Sequence, residues 1–436
     1  MSCRLLFCLK LLFLPLLFVL MCQNSIYDAK EEITPIVSIK EEYNDNIFFA
    51  DDDDITDEEE DFITTLSAGL RLLHRSEKSE LLFNGRFDRL IYGENDSLND
   101  HETFLNGNAS FDITPHFRLL AGADYQRRTR RDRELDEAGL LVDTNEPSYR
   151  QHYGIGGEYT LTENIQFSLG YYFDRNDYDD PGNYDTKYHG VDFGLYHFLS
   201  TQTIGRLILG FVTYDLSNSV DALLPGILPG PEGPIPGFAA GVVRDESTID
   251  NYSFTLGASH AITELFTILV DVGTRYTTSD RDQSFLVPPP IISLTPDIET
   301  DDDGWGTVGQ VRIDYRDERN SASLTAYRDI SAASGSYGAT ERTTVGIQAG
   351  RRLTEHLSGN ISLQYFWNES DAGEISLQEV DEETFTITPL LRYAITDDLD
   401  LETQYQYVRQ DDNEYDTDAN RSLIFLRLVY EFPLLD

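Results

Sequence analysis

The sequence predicts an all-β chain closed into one transmembrane, antiparallel, up-and-down β-barrel of about 18 strands, and three observations predict it. Apolar residues recur at every second position in segment after segment. A turn of one kind returns as ITPHF at 113, LTENI at 161, ITELF at 262, LTEHL at 353 and ITDDL at 395. Short connections of this sort alternate with long acidic or Pro/Gly-rich ones.

The chain begins with MSCRLLFCLKLLFLPLLFVLMC, in which Arg4 and Lys10 lie near a short apolar run. Residues 1–22 read as a secretory signal peptide and are set apart from the fold, which is expected over 30–436. No Ala-x-Ala marks the cleavage point. Cys22 leaves a lipidated start open, although Met21 stands where a small residue is expected. All three cysteines (Cys3, Cys8, Cys22) fall in this leader, so neither disulfides nor thiolate metal sites are expected in the mature chain. No later run of eighteen apolar residues exists, which excludes a helical membrane protein.

Each element then follows from its alternation. After LTEN, Ile165, Phe167, Leu169, Tyr171 and Phe173 share one face, and Gln166, Ser168, Gly170, Tyr172 and Asp174 share the other. After LTEH, Leu357, Ile361, Leu363, Tyr365 and Trp367 oppose Ser358, Asn360, Ser362, Gln364 and Asn368. After ITDD, Leu399, Leu401, Tyr405 and Tyr407 oppose Asp400, Glu402, Gln404 and Gln406. A face this polar cannot enter a dry core, because each unpaired carboxylate or amide would cost several kcal/mol. A soluble propeller or sandwich fits less well than a cylinder between two solvents.

Eight short turns are expected near 74–79, 113–117, 161–165, 199–203, 262–266, 316–320, 353–357 and 395–399. Nine long segments lie near 44–61, 93–101, 131–147, 175–186, 216–247, 279–303, 330–341, 369–383 and 411–419. Seventeen connections join eighteen strands, with both termini at the short-turn end, the periplasmic end of such a barrel. The repeat is therefore one hairpin, and variable loops exclude a solenoid. Aromatics near strand ends, such as Phe87, Tyr159, Phe266 and Tyr393, suit interfacial girdles.

The formal net charge is −44, from 77 acidic and 33 basic residues, so a nucleic-acid partner is excluded. The stretch DDDDITDEEED offers oxygen ligands to divalent cations but lacks the glycine-centred spacing of a calcium loop. Its default reading is a solvated, self-repelling loop.

The segment ITPIVSIKEEYNDNIFFADDDD followed by DFITTLSAGLRL, over Ile33 to Leu72, resembles the family of outer-membrane β-barrel porins, some of whose members are associated with exopolysaccharide production and export. The resemblance implies a location in the outer membrane of a Gram-negative cell. Its implied partners are lipid, lipopolysaccharide and the barrel assembly machinery, with small hydrophilic solutes or a polysaccharide as cargo. The chain departs from the usual barrel ending, since the closing strand SLIFLRLVYEF is followed by Pro433, Leu434, Leu435 and Asp436.

Parity places Arg71, Arg86, Asp88, Arg118, Asp124, Arg128, Asp271, Arg275, Arg312, Asp314, Arg316, Arg352 and Arg392 on the inner wall. They read equally as a charged filter or as mutual braces. The segment 216–247 is long, apolar and rich in Pro and Gly. It is expected to fold into the barrel mouth, with Leu223, Leu224, Ile227, Leu228, Ile235 and Phe238 narrowing it, and 279–303 is a second candidate. The eight histidines are scattered, and neither HExxH nor GxSxG occurs. No enzyme, no cofactor and no bound metal is expected. The resulting function is passive diffusion of small hydrophilic solutes, with polysaccharide export or a structural surface barrel as alternatives.

Overall fold

The computed structural model describes residues 29–50, 59–130, 135, 139, 146–228, 235–289, 291–333, 338–370, 379–414 and 416–435. The leader 1–22 and most of the acidic stretch 51–61 lie outside the described residues. The chain forms β1 (Lys30–Asn44), β2 (Asp61–Arg75), β3 (Ser79–Tyr92), β4 (His101–Thr114), β5 (Phe117–Arg128), β6 (Ser148–Thr162), β7 (Ile165–Tyr178), β8 (Asp185–Phe198) and β9 (Thr203–Leu228). It continues with β10 (Ile235–Thr263), β11 (Phe266–Leu286), the two-residue β12 (Ile292–Ser293), β13 (Ile298–Arg316), β14 (Asn320–Ala333), β15 (Gly338–Arg352), β16 (Leu357–Ser370), β17 (Val380–Ala394), β18 (Leu399–Asp412) and β19 (Thr417–Glu431).

Every strand except β12 pairs antiparallel with its neighbours in order, and β1 pairs with β19 from Ile36↔Glu431 to Asn44↔Leu423. The sheet is thus a closed barrel of 18 strands, as the alternation predicted. Closure leaves no strand edge around the ring, which matters where no water can satisfy backbone groups. The ending past Phe432 does not stop this seam: Phe432 N donates to Pro35 O at 2.8 Å and Leu434 N to Ile33 O at 2.8 Å.

All eight short turns lie where the sequence puts them, and they share one device. Ser76, Thr114, Thr162, Ser200, Thr263, Asp317, Thr354 and Thr396 each turn a side-chain oxygen onto a backbone N–H two residues on. In the LTEHL turn, Thr354 Oγ1 also accepts from Leu357 N at 2.9 Å. Such a bond contributes about 1 kcal/mol and fixes the register of the hairpin that follows. The repeated turn is therefore the sequence mark of a Thr, Ser or Asp that closes its own loop.

The outer surface is apolar. Leu169 is 58% exposed and Ile424 51%, and Ile39, Leu66, Ile155, Leu209, Val272 and Leu426 are exposed on the same face of their strands. A contiguous belt of this kind is not stable against water. Strands of 12 to 15 residues exceed the 9 to 11 needed to cross a bilayer.

The wall is uneven in height. β9, β10, β11 and β13 run far past their neighbours, and β9 and β10 stay in register from Thr203↔His260 to Leu228↔Ile235. This corrects the expectation for 216–247. Leu223, Leu224, Ile227, Leu228, Ile235 and Phe238 belong to a paired hairpin that prolongs β9 and β10, not to an irregular loop. Its backbone groups are satisfied by strand pairing, so nothing drives the segment inward. Leu224 and Ala239, directly opposite each other, are buried; Leu223 and Phe238, on the other face, are 74% and 72% exposed. The second candidate, 279–303, is likewise mostly strand: β11 continues to Leu286, β12 pairs with Gly226 and Ile227, and β13 begins at Ile298.

Candidate functional site: the barrel lumen

Contacts between distant strands identify the inner face. Leu135, from the connection between β5 and β6, is fully buried against Phe49 and against Val408 of β18. Gly139 O, from the same connection, accepts from Asn368 Nδ2 of β16 at 3.3 Å and from Thr384 Oγ1 of β17 at 2.8 Å. In the ring order, β16 and β17 stand eight and seven strands from β5, close to diametrically opposite among 18. Leu135 and Gly139, together called the strap below, thus reach from the β5–β6 connection to the far wall of the mouth. Phe366, Asn368, Thr384 and Val408 belong to the face opposite the exposed apolar residues, so the polar face lines the lumen.

On that face the pairing registers place Arg71, Arg86, Arg118, Asp124, Arg128, Asp271, Arg275, Arg312, Asp314, Arg316, Arg352 and Arg392, with Asp88. Most of them are paired. Some partners lie two residues along one strand, where period-two geometry puts both on one side: Arg86 Nε sits 2.9 Å from Asp88 Oδ2 and Arg312 Nε 2.7 Å from Asp314 Oδ2. Other partners lie across a seam or further round the wall: Arg71 is 3.4 Å from Glu431, and Arg118 is 3.6 Å from Asp112. Arg392 pairs with Asp400 and lies 3.9 Å from Glu402. Asp271 pairs with Arg206, whose Nε donates to it at 2.6 Å, and Arg275 pairs with Glu341. Asp124 accepts from Gln126 at 2.8 Å, and Arg128 donates to Gln126 Oε1 at 2.8 Å. Among the described residues Arg316 and Arg352 have no ion pair.

The wall is therefore built largely of neutralised pairs, which hold charge near water without an isolated buried ion. Sequence reasoning missed several members. Arg206, Glu102, Glu382 and Arg421 all face inward, and the last three are nearly fully buried. The alternation in TIGRLILGF placed Arg206 opposite an apolar row, which was the available signal. The strap left no such mark, because 131–147 reads as one more acidic loop. The far end of β14 left none either: β13 and β14 pair only from Gly309↔Arg328 to Arg316↔Ser321. Beyond that, Ile330 bends inward and packs on Tyr214, Leu216 and Ile249 of β9 and β10.

No family model matches this chain, and no curated protein does. Solved barrels resemble it in outline. The ferric-catecholate import receptor Fiu of E. coli, open form, aligns over 94% of this chain and 82% of its own, at 11% identity and a TM-score of 0.49. The siderophore receptor PiuA of Acinetobacter baumannii aligns over 91% and 82%, at 10% identity and 0.41. The alcaligin outer-membrane receptor FauA of Bordetella pertussis aligns over 91% and 76%, at 10% and 0.40. Likeness at these scores carries no argument about ligands, and the barrel stands on its own strand pairing.

Proposed function

We propose that this chain sits in the outer membrane of a Gram-negative cell and lets small hydrophilic solutes diffuse through its lumen. One observation carries the reading: around a closed ring of 18 strands, apolar side chains face out and paired charges face in. Acyl chains satisfy the first face and water the second. At this strand number a barrel is too wide for its side chains to fill. Both termini then lie on the periplasmic side, and lipopolysaccharide surrounds the long-loop rim. The barrel assembly machinery inserts the chain after the leader is removed.

The mechanism is steric and electrostatic. Leu135 and Gly139 stand in the mouth, and paired Arg and Asp side chains set a transverse field on whatever passes. Purified protein in a planar bilayer should give discrete ohmic conductance steps. A polypeptide that is monodisperse without detergent would sink the membrane assignment. Absent conductance together with retained glycan binding would favour polysaccharide export instead.

A further inference from the structure

At the short-turn end, the β13–β14 turn, the β15–β16 hairpin and the strands they join border a shallow, open pocket of about 240 Å³. Arg316, Arg319, Arg351 and Arg352 line it, together with Ser321, Gly350 and Asn360. The strand registers set the row Arg316↔Ser321, Ser321↔Gly350 and Gly350↔Asn360 on the inner face, with Arg352↔Ser358 beside it. Arg352 N donates to Arg319 O at 2.8 Å, which ties the two turns together.

Three features set this pocket apart from the rest of the lumen. Elsewhere most inward arginines are matched to a carboxylate, but Arg316 and Arg352 on the inner face, and Arg319 and Arg351 beside them, have no ion pair among the described residues of a chain of net charge −44. Two carboxylates are near, Asp317 and Glu318. Asp317 is already engaged: it accepts from Asn320 N at 2.6 Å, Arg319 N at 2.7 Å, Asn320 Nδ2 at 2.9 Å and Tyr315 Oη at 2.7 Å. The floor is a glycine. A Cβ on Gly350 would lie 2.4 Å from Asn360 Oδ1 and 2.9 Å from Ser321 Oγ, so the missing side chain is what lets that hydroxyl and amide converge. Among the described residues neither side chain has a hydrogen-bond partner of its own.

We propose that this pocket binds a phosphate group. Guanidinium forks match tetrahedral oxyanions bidentately, and the Ser321 hydroxyl and Asn360 amide supply neutral donors to the remaining oxygens. Because Arg316, Arg352, Ser321 and Asn360 face the lumen, the source is a free phosphate or phosphorylated solute and not a lipid headgroup. The proposal deepens the diffusion reading and rests on its assignment of the inner face to water. Its test is binding, which does not depend on conduction.

Detergent-purified protein would be titrated calorimetrically with inorganic phosphate at low ionic strength. Wild type should bind saturably, and Arg316→Ala/Arg352→Ala should weaken binding at least tenfold, while Arg86→Ala, remote on β3, should not. Ser321→Ala/Asn360→Ala keeps all charges and should weaken binding several-fold, which covers the case in which the arginine variant misfolds. Equal affinity in wild type and both double variants, or no binding by wild type, would overturn the proposal. Flotation with phosphatidylglycerol but not phosphatidylcholine vesicles, lost in Arg319→Ala/Arg351→Ala while free phosphate stays unbound, would overturn it in favour of a headgroup.

Discussion

Gly139 ties the β5–β6 connection to the far wall of the mouth, and replacing it with valine should open the lumen. The residue has φ +66°, and an added Cβ would lie 2.6 Å from Phe366 Cβ and Cγ and 2.8 Å from Cδ2. Phe366 is itself buried, so it has no room to retreat. A β-branched residue in the left-handed region costs about 1 to 2 kcal/mol. Moving the chain off the wall to relieve the overlap breaks the bonds from Asn368 and Thr384, worth about 1 kcal/mol each. The far attachment of the strap is then weakened by about 3 kcal/mol, against about 2 kcal/mol held by burial of Leu135. For strands about 4.8 Å apart and tilted near 40°, an 18-strand ring has a backbone radius of about 18 Å and a free bore of about 20 to 25 Å. Leu135 and Gly139 stand in that opening against its far wall and obstruct part of it. Gly139→Val should therefore raise single-channel conductance up to about twofold in a planar bilayer, with the far-ultraviolet circular dichroism unchanged. Wild-type conductance in a variant with intact β-structure would refute the assignment of the strap as the narrow point.

Removing residues 222–240 should leave conductance at the wild-type value, because that hairpin prolongs the wall; a rise would return it to the mouth. Asp271→Asn leaves Arg206 facing the lumen without its partner, so the reversal potential in a salt gradient should shift toward anion preference, and stability should fall by about 1 to 2 kcal/mol. At the β13–β14 turn, the Asn320 amide, the Tyr315 hydroxyl and the N–H groups of Arg319 and Asn320 hold the Asp317 carboxyl well below the usual carboxylate range. A depressed folded value stabilises above the unfolded one, near 4, and the contribution is lost as pH falls through the folded value. Asp317→Ala should thus lower the unfolding temperature at pH 7, and the gap from wild type should close in strong acid; a gap independent of pH would contradict this.

The barrel was legible because its causes are local and repeated. Ile165 to Phe173 or Leu357 to Trp367 announce an outward face by themselves, and Thr354 or Asp317 closes its turn with its own side chain. The inner parity of Arg71 and Arg312 followed from the same period of two, since their strands pair without a register shift. What the sequence hid depends on partners far along the chain. Leu135 is buried by Phe49 and Val408, and Ile330 by Tyr214 and Ile249, and no spacing announces either contact. The apolar Pro/Gly-rich hairpin misled for the converse reason: length and composition suggested a loop needing shelter, yet residues such as Leu224 and Ala239 had found cross-strand partners. The arginine pocket joins Arg319 and Arg352, 33 residues apart, through the pairing of β14 with β15 and the bond from Arg352 N to Arg319 O.

The seam between β1 and β19 makes the first strand wait for the last. Ile36 has Glu431 as its neighbour, and Ile33 is held by Leu434 and Leu435, so nearly the whole polypeptide must emerge before this edge is covered. Until then the growing sheet carries two raw borders that lipid cannot satisfy. A chain cut short within its final strand would be an open ribbon, fit for pairing with a stranger, and its removal by quality control would fall on the ending and not on the beginning.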